Sequence, residues 1–137
     1  MNNKLKNKLY NAAKKARENA YVPYSHFPLG AAVVTAEGNI YSGPNIENAS
    51  YGLSNCAERT AIFKAVSNQE KEIKALLLIS GTNKPVSPCG ACRQVIKEFS
   101  KPDFKLIMTN IQGDEVIMSI DDLLPGAFEG KDMNNDI

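Results

Sequence analysis

A chain of 137 residues, 43% of them hydrophobic, has the length for one core and one domain over residues 1–137, and little room for a second activity. Sixteen basic residues against fifteen acidic ones leave a net charge of +1, which excludes the strong field that draws a polyanionic nucleic acid and favours a small-molecule partner. The N-terminus Met1-Asn2-Asn3-Lys4-Leu5-Lys6 has no apolar signal core, no stretch is long enough to span a bilayer, and three cysteines make a poor disulfide framework; these features predict a cytoplasmic protein with free thiols and no membrane contact.

In chain order, residues 4 to 20 set Leu5, Leu9, Ala12, Ala13, Ala16 and Ala20 at helical spacing among Lys, Arg and Glu. That pattern predicts an amphipathic helix of about four turns, with its apolar stripe on a sheet and its basic face in solvent. Pro23 and Pro28 bracket Tyr24-Ser25-His26-Phe27 in a stiff, non-helical loop. From the residues alone Phe27 reads as a plug for the core, and His26, the chain's single histidine, as an ordinary surface residue and not a ligand. Leu29 to Thr35 predicts a buried strand, Glu37-Gly38-Asn39 a turn, and Ile40 to Ile46 the returning partner of a hairpin. Alternate residues of an extended segment point the same way, so Asn45 and Glu47 either grip one ligand together or decorate an exposed strand end.

Cys56 to Val66 predicts a helix with an apolar stripe of Ala57, Ala61, Ile62, Ala65 and Val66, capped by Ser54 or Asn55, with Cys56 and Glu58 in its first turn. Ala75 to Ser80 reads as a fully buried strand, Gly81 to Pro88 as a loop, and Cys89 to Phe99 as a second helix that presents Cys89 and Cys92 on one face. Phe104 to Thr109 and Val116 to Met118 read as further strands around a Gly113-Asp114 turn. A short helix from Asp121 is stopped by Pro125-Gly126, and the polar tail Lys131 to Ile137 is expected to fray. This succession predicts an α/β fold: three layers, α/β/α, around a mixed sheet of about five strands.

The cysteines carry the chemistry. Cys56, with Cys89-x-x-Cys92, suits one zinc ion per chain held by three protein ligands, which leaves a tetrahedral position for water. Glu58, two residues from a ligand, is badly placed to bind the same ion but well placed to move protons beside it. A purely structural zinc module would close the fourth position; no cysteine remains to do so, and His26 lies in a distant loop. Two helices opening at Cys56 and Cys89 would aim two positive ends at the thiolates. Three thiolates on a dication still leave an excess of about one negative charge. Arg59 and Arg93, each just after a ligand, either donate to the sulfurs to offset it or are ordinary helix-surface arginines.

Cys56-Ala57-Glu58 followed by Pro88-Cys89-Gly90-Ala91-Cys92 resembles the zinc-deaminase signature. Together with Pro23-Tyr24-Ser25-His26-Phe27, Asn45-Ile46-Glu47-Asn48-Ala49 and Leu123-Leu124-Pro125-Gly126-Ala127-Phe128, it makes roughly residues 8 to 130 similar to the small three-cysteine cytidine deaminases of pyrimidine salvage. The resemblance implies hydrolysis of cytidine and deoxycytidine to uridine and deoxyuridine with release of ammonia. Zinc-activated water attacks C4 and Glu58 shuttles the protons. It further implies that Phe27 is an aromatic wall of the pocket, that Asn45 and Glu47 bind the ribose, that the Ala57 N–H meets a base carbonyl, and that backbone around Ser87-Pro88 receives the amine. A lone aromatic such as Phe128 more often docks its own helix, but the resemblance implies a homotetramer with shared active sites in which Phe128 enters a neighbour's pocket. The alternative substrate is another cytosine nucleoside, such as a nucleoside antibiotic; Glu47 argues for a free sugar, since a carboxylate accepts from hydroxyls and repels a phosphate.

Overall fold

The computed structural model describes residues 1–134. Its first element, α1 (Asn3–Arg17), is capped by Asn2, whose side chain accepts the Leu5 N–H at 2.8 Å, and it ends among Lys14, Lys15 and Arg17, cations that suit the negative end of the helix. It stops three residues short of the predicted end because the N–H groups of Glu18, Asn19 and Ala20 bond carbonyls three residues back, tightening and closing the helix. The buried face is Leu9, Ala13 and Ala16. Small residues there let the helix approach the sheet so closely that a Cβ on Gly30 would fall 2.0 Å from the Ala13 carbonyl oxygen.

The remaining elements are β1 (Gly30–Thr35), β2 (Ile40–Pro44), α2 (Ala57–Ser67), β3 (Ile73–Ser80), α3 (Gly90–Phe99), β4 (Ser100–Asn110), β5 (Glu115–Ser119) and α4 (Ile120–Leu123), with 3-10 turns at Tyr51–Leu53 and Gly130–Asn134. The strands form one mixed sheet in the order β2-β1-β3-β4-β5. Only β3 and β4 run parallel, joined by the α3 crossover, and the other pairs are antiparallel. Strand alternation divides the core between the two faces. Ala31, Val33, Leu76, Leu78, Leu106 and Met108 pack under α2, α3 and α4, while Ala32, Val34, Ala75, Leu77, Ile79 and Ile107 pack under α1. This is the predicted α/β fold of three layers around five strands.

Several boundaries move. β4 begins at Ser100 rather than Phe104, carrying the polar Lys101, Pro102 and Asp103 as strand; Pro102 is tolerated because the pairing with β3 is interrupted between Ile73 and Ala75. Lys131 to Asn134, where fraying is predicted, form the last turn of 3-10 helix, anchored by Glu129, whose carboxylate meets Lys97 at 3.2 Å and Lys131 at 3.1 Å. The rest of the predicted frayed tail, 135–137, lies outside the described residues. Among the described residues, no helix is long and apolar enough to cross a membrane.

Candidate active site

The two cysteine-bearing helices pack beside each other on one face of the sheet, and each starts one residue later than predicted, with its cysteine at the N-cap position. Cys56 is extended at φ −73°, ψ 154°, and Cys89 at φ −67°, ψ 169°; neither sulfur caps its helix. Both are therefore free to turn toward a common point. The predicted caps are occupied elsewhere: the Asn55 amide donates to Thr60 Oγ1 at 2.9 Å, and Ser54 Oγ accepts the Asn48 N–H at 3.1 Å. Cys92, fully buried in the first turn of α3, completes a cluster whose three Sγ atoms all lie within 4.8 Å of one another.

Those distances fit a zinc ion. Zn–S bonds of about 2.3 Å at tetrahedral angles put the sulfurs about 3.8 Å apart, and Cys56 Sγ lies 3.9 Å from Cys89 Sγ. Charge is arranged to suit thiolates as well. The Cys56 thiol is pushed down to about 5, first by the hydrogen bond from Cys92 and then by Arg59, whose Nη2 donates to Cys56 Sγ at 3.4 Å. Cys92 is pushed up because it supplies that hydrogen bond and is buried.

Arg59 thus makes the sulfur contact expected of it, and Arg93 does not. Side chains in a helix lean toward its N-terminus, and from the first turns of α3 Arg93 reaches back past the sulfurs. Its Nε donates to the Pro88 carbonyl at 2.9 Å, Nη1 to the Leu123 carbonyl at 2.9 Å, and Nη2 to Ser87 Oγ at 3.3 Å. Arg93 therefore ties the Ser87-Pro88 segment just before Cys89 to the end of α4 rather than bonding a thiolate.

Glu58, the second residue of α2, is 2% exposed, and its Oε1 is buried with no hydrogen-bond partner among the described residues. Burial first, and the neighbouring Cys56 thiolate second, raise its carboxyl to about 7. Ala57 is fully buried beside it, and its N–H is among the first donors of α2, which the helix itself leaves without an acceptor.

Asn45 and Glu47 lie beyond the end of β2, in a bridge that connects the proline-bracketed loop to the metal cluster. Tyr21 N–H donates to the Asn45 carbonyl at 3.0 Å and Glu47 N–H to the Tyr21 carbonyl at 2.8 Å, while Ile46 exchanges two bonds, 2.9 and 2.8 Å, with Asn55, the residue before Cys56. The side chains grip the loop. Asn45 Oδ1 accepts the Leu29 N–H and Asn45 Nδ2 donates to the Phe27 carbonyl, both at 2.9 Å. Glu47 is held below the ordinary carboxylate range, first by the Ser25 hydroxyl and then by the Ser25 and Tyr24 N–H groups. Arg17 adds a third hold, Nε to the Pro28 carbonyl at 3.1 Å. Tyr24, Ser25, Glu47, Tyr51 and Ser54 line a cavity of about 320 Å³, with the Tyr24 and Tyr51 rings edge to face at 6.0 Å.

Phe27 is not a core plug, being 40% exposed on that loop, and His26 beside it is an exposed surface residue as predicted. Phe128 is not buried against its own helix: the residue is 58% exposed, while its carbonyl accepts from Gln94 Nε2 at 2.9 Å. Sequence reasoning missed Arg17, Tyr24, Ser25 and Tyr51. The only available signal was their setting, within or near the bracketed loop and the Asn-Ile-Glu-Asn segment.

A mixed sheet with three thiols gathered at two helix N-termini, and a buried, elevated carboxyl beside them, defines a zinc-dependent hydrolase of the deaminase class. The model of the cytidine and deoxycytidylate deaminase zinc-binding region matches residues 3–108. A cytidine deaminase of Sporosarcina psychrophila is 54% identical over 127 residues, 93% of each chain, and one of Halalkalibacterium halodurans is 51% identical over 127 residues, 93% of this chain and 96% of its own. The crystal structure of cytidine deaminase from Burkholderia pseudomallei superposes with a TM-score of 0.86 at 49% identity, covering 93% of this chain and all of the other. The chain belongs to the cytidine deaminase family, in its three-cysteine zinc form.

Proposed function

We propose that the chain hydrolyses cytidine and deoxycytidine to uridine and deoxyuridine with release of ammonia. The observation that carries this is the unpartnered, buried Oε1 of Glu58 beside three clustered sulfurs. Cys56, Cys89 and Cys92 hold one zinc per chain, which when bound supplies a Lewis acid that makes water nucleophilic at neutral pH.

The chain's own groups then do the following. Arg59 draws negative charge from Cys56 through its hydrogen bond, and Arg93 holds the Ser87-Pro88 segment that leads into Cys89. Glu58 accepts a proton from the water attacking C4 and delivers it to N3. As the tetrahedral adduct collapses, Glu58 carries the proton of the new hydroxyl to the amino group, the C4–N bond breaks, ammonia leaves and the C4 carbonyl forms. A carboxyl near pH 7 can both take and return a proton, so one residue serves each step. Ala57 N–H binds a base carbonyl, backbone at Ser87-Pro88 receives the amine, Phe27 walls the base, and Asn45 with Glu47 binds the sugar.

The exposed Phe128 ring supports a homotetramer in which each Phe128 enters a neighbour's pocket. The reading places the enzyme in the cytoplasm, on a single domain, with no nucleic-acid or membrane partner. The test is ammonia release from cytosine, cytidine, deoxycytidine, cytidine monophosphate and a cytosine nucleoside antibiotic. Turnover of the two free nucleosides is expected; exclusive turnover of the antibiotic would replace the substrate assignment.

A further inference from the structure

The carboxylate read above as facing the sugar is already engaged by one loop. Glu47 Oε1 accepts the N–H groups of Tyr24 and Ser25, each at 3.1 Å, and Oε2 accepts the Ser25 hydroxyl. The same hydroxyl oxygen accepts the Phe27 N–H at 3.1 Å. A hydroxyl has one hydrogen to give and lone pairs to receive, so Ser25 can do both at once, and no other side chain in the loop bonds both residues. Between them His26 sits at φ +56°, a left-handed conformation uncommon outside glycine, which turns the Phe27 N–H back onto Ser25. The loop is thus folded around this hydroxyl, at a local conformational cost that its hydrogen bonds offset.

We propose that Ser25 is a positioning residue that joins Glu47 to the backbone of Phe27, so that the sugar-binding carboxylate and the aromatic wall are set as one unit. The inference rests on the reading of Asn45 and Glu47 as the sugar-binding pair. Ser25 touches neither the sulfurs nor Glu58, so its effect belongs in substrate binding and not in the proton transfers. Its side chain is exposed, and truncation leaves the core intact.

The test measures KM and kcat for cytidine, with thermal melting as a control, in Ser25→Ala, Ser25→Thr, Glu47→Ala and the Ser25→Ala/Glu47→Ala pair. Losing a hydrogen bond to a charged group is expected to raise KM about tenfold in Ser25→Ala with kcat within about twofold, and Ser25→Thr, which keeps the hydroxyl, to restore most of the loss. In the Glu47→Ala background, Ser25→Ala should add no more than about twofold, because the residue acts through Glu47. An equal rise in both backgrounds, or a raised KM in Glu47→Ala with none in Ser25→Ala, overturns the proposal while leaving Glu47 on the sugar. An unchanged KM in Glu47→Ala removes the sugar-binding reading itself.

Discussion

Glu58→Gln tests the central claim with the smallest change in shape, replacing one carboxyl oxygen by an amide that cannot take a proton from water. The loss can be bounded from the structure. General acid/base groups contribute about 10²–10⁴-fold, and a hundredfold corresponds to about 2.7 kcal/mol of barrier. Among the described residues no substitute is at hand: Oε1 is buried without a hydrogen-bond partner, and the chain's single histidine, His26, is exposed on another loop. If, as proposed, this one carboxyl serves all the proton movements, the loss lies at about a hundredfold or beyond. The assay follows the disappearance of cytosine absorbance, with zinc content by elemental analysis and the melting temperature on the same samples. The expected result is kcat down by at least about a hundredfold, with one zinc per chain retained and no large fall in stability. Glutamine is neutral, and burial of a charge is what pushes the Glu58 carboxyl up to about 7, so the folded state gives up no buried ion pair. Near-native kcat with full zinc content would remove Glu58 from the mechanism and with it the proton-transfer scheme.

Cys92→Ala is expected to lose most of its zinc and melt at a lower temperature; full retention of metal by elemental analysis would refute the three-thiolate ligand set. Glu70 accepts bonds from Thr35, Tyr41 and Asn39 that hold its carboxyl below the ordinary range, so its contribution to stability is complete above about pH 4.3 and is lost as pH falls through the folded-state value. The melting temperature of Glu70→Gln should therefore lie below that of the parent at neutral pH and converge with it in acid, whereas a pH-independent gap would show that the carboxylate charge is immaterial. If the proposed tetramer with shared sites holds, Phe128→Ala and Glu58→Gln chains should each be impaired alone, yet mixed assemblies should exceed the weighted sum of the parents, because some sites pair an intact Glu58 with a neighbour's intact Phe128; activity equal to that sum in verified mixtures would put Phe128 in its own chain's site or in none.

The metal cluster was legible because its information is local. Cys-x-x-Cys at a helix start forces two sulfurs onto one face, and Pro88 marks that start. The helix starts were displaced by one residue because capping rules weigh side chains by their affinity for free N–H groups, and Cys56 and Cys89 hold the N-cap positions without capping. Core strands were legible wherever both faces are apolar, as in β3. The first residues of β4 were not, since polar side chains and Pro102 deny them any strand pattern and only pairing with Ile73 draws Ser100 into the sheet. Arg93 was misjudged for a related reason: adjacency to a ligand in sequence says nothing about direction, and the helix turns that side chain toward carbonyls at Pro88 and Leu123.

What stayed hidden is the second use of the polar residues around the pocket. Asn45 and Glu47 were read as groups awaiting a ligand, but the partners that orient them are 16 to 23 positions away: Leu29 and Phe27 for Asn45, Tyr24 and Ser25 for Glu47. No periodicity reports a bond across that distance. On the proposed sugar-binding reading, the binding groups and the loop supports are the same atoms. A carboxylate has about four lone-pair positions, and three are taken by the loop, which leaves Glu47 one acceptor position for the sugar hydroxyl it is proposed to bind. Such a side chain is held in place before substrate arrives, so little rotamer entropy is lost on binding and one hydrogen bond can discriminate. The Ile46–Asn55 bridge extends that support to Cys56, tying the Asn45–Glu47 segment to the sulfur cluster through backbone hydrogen bonds rather than through side chains that could drift independently.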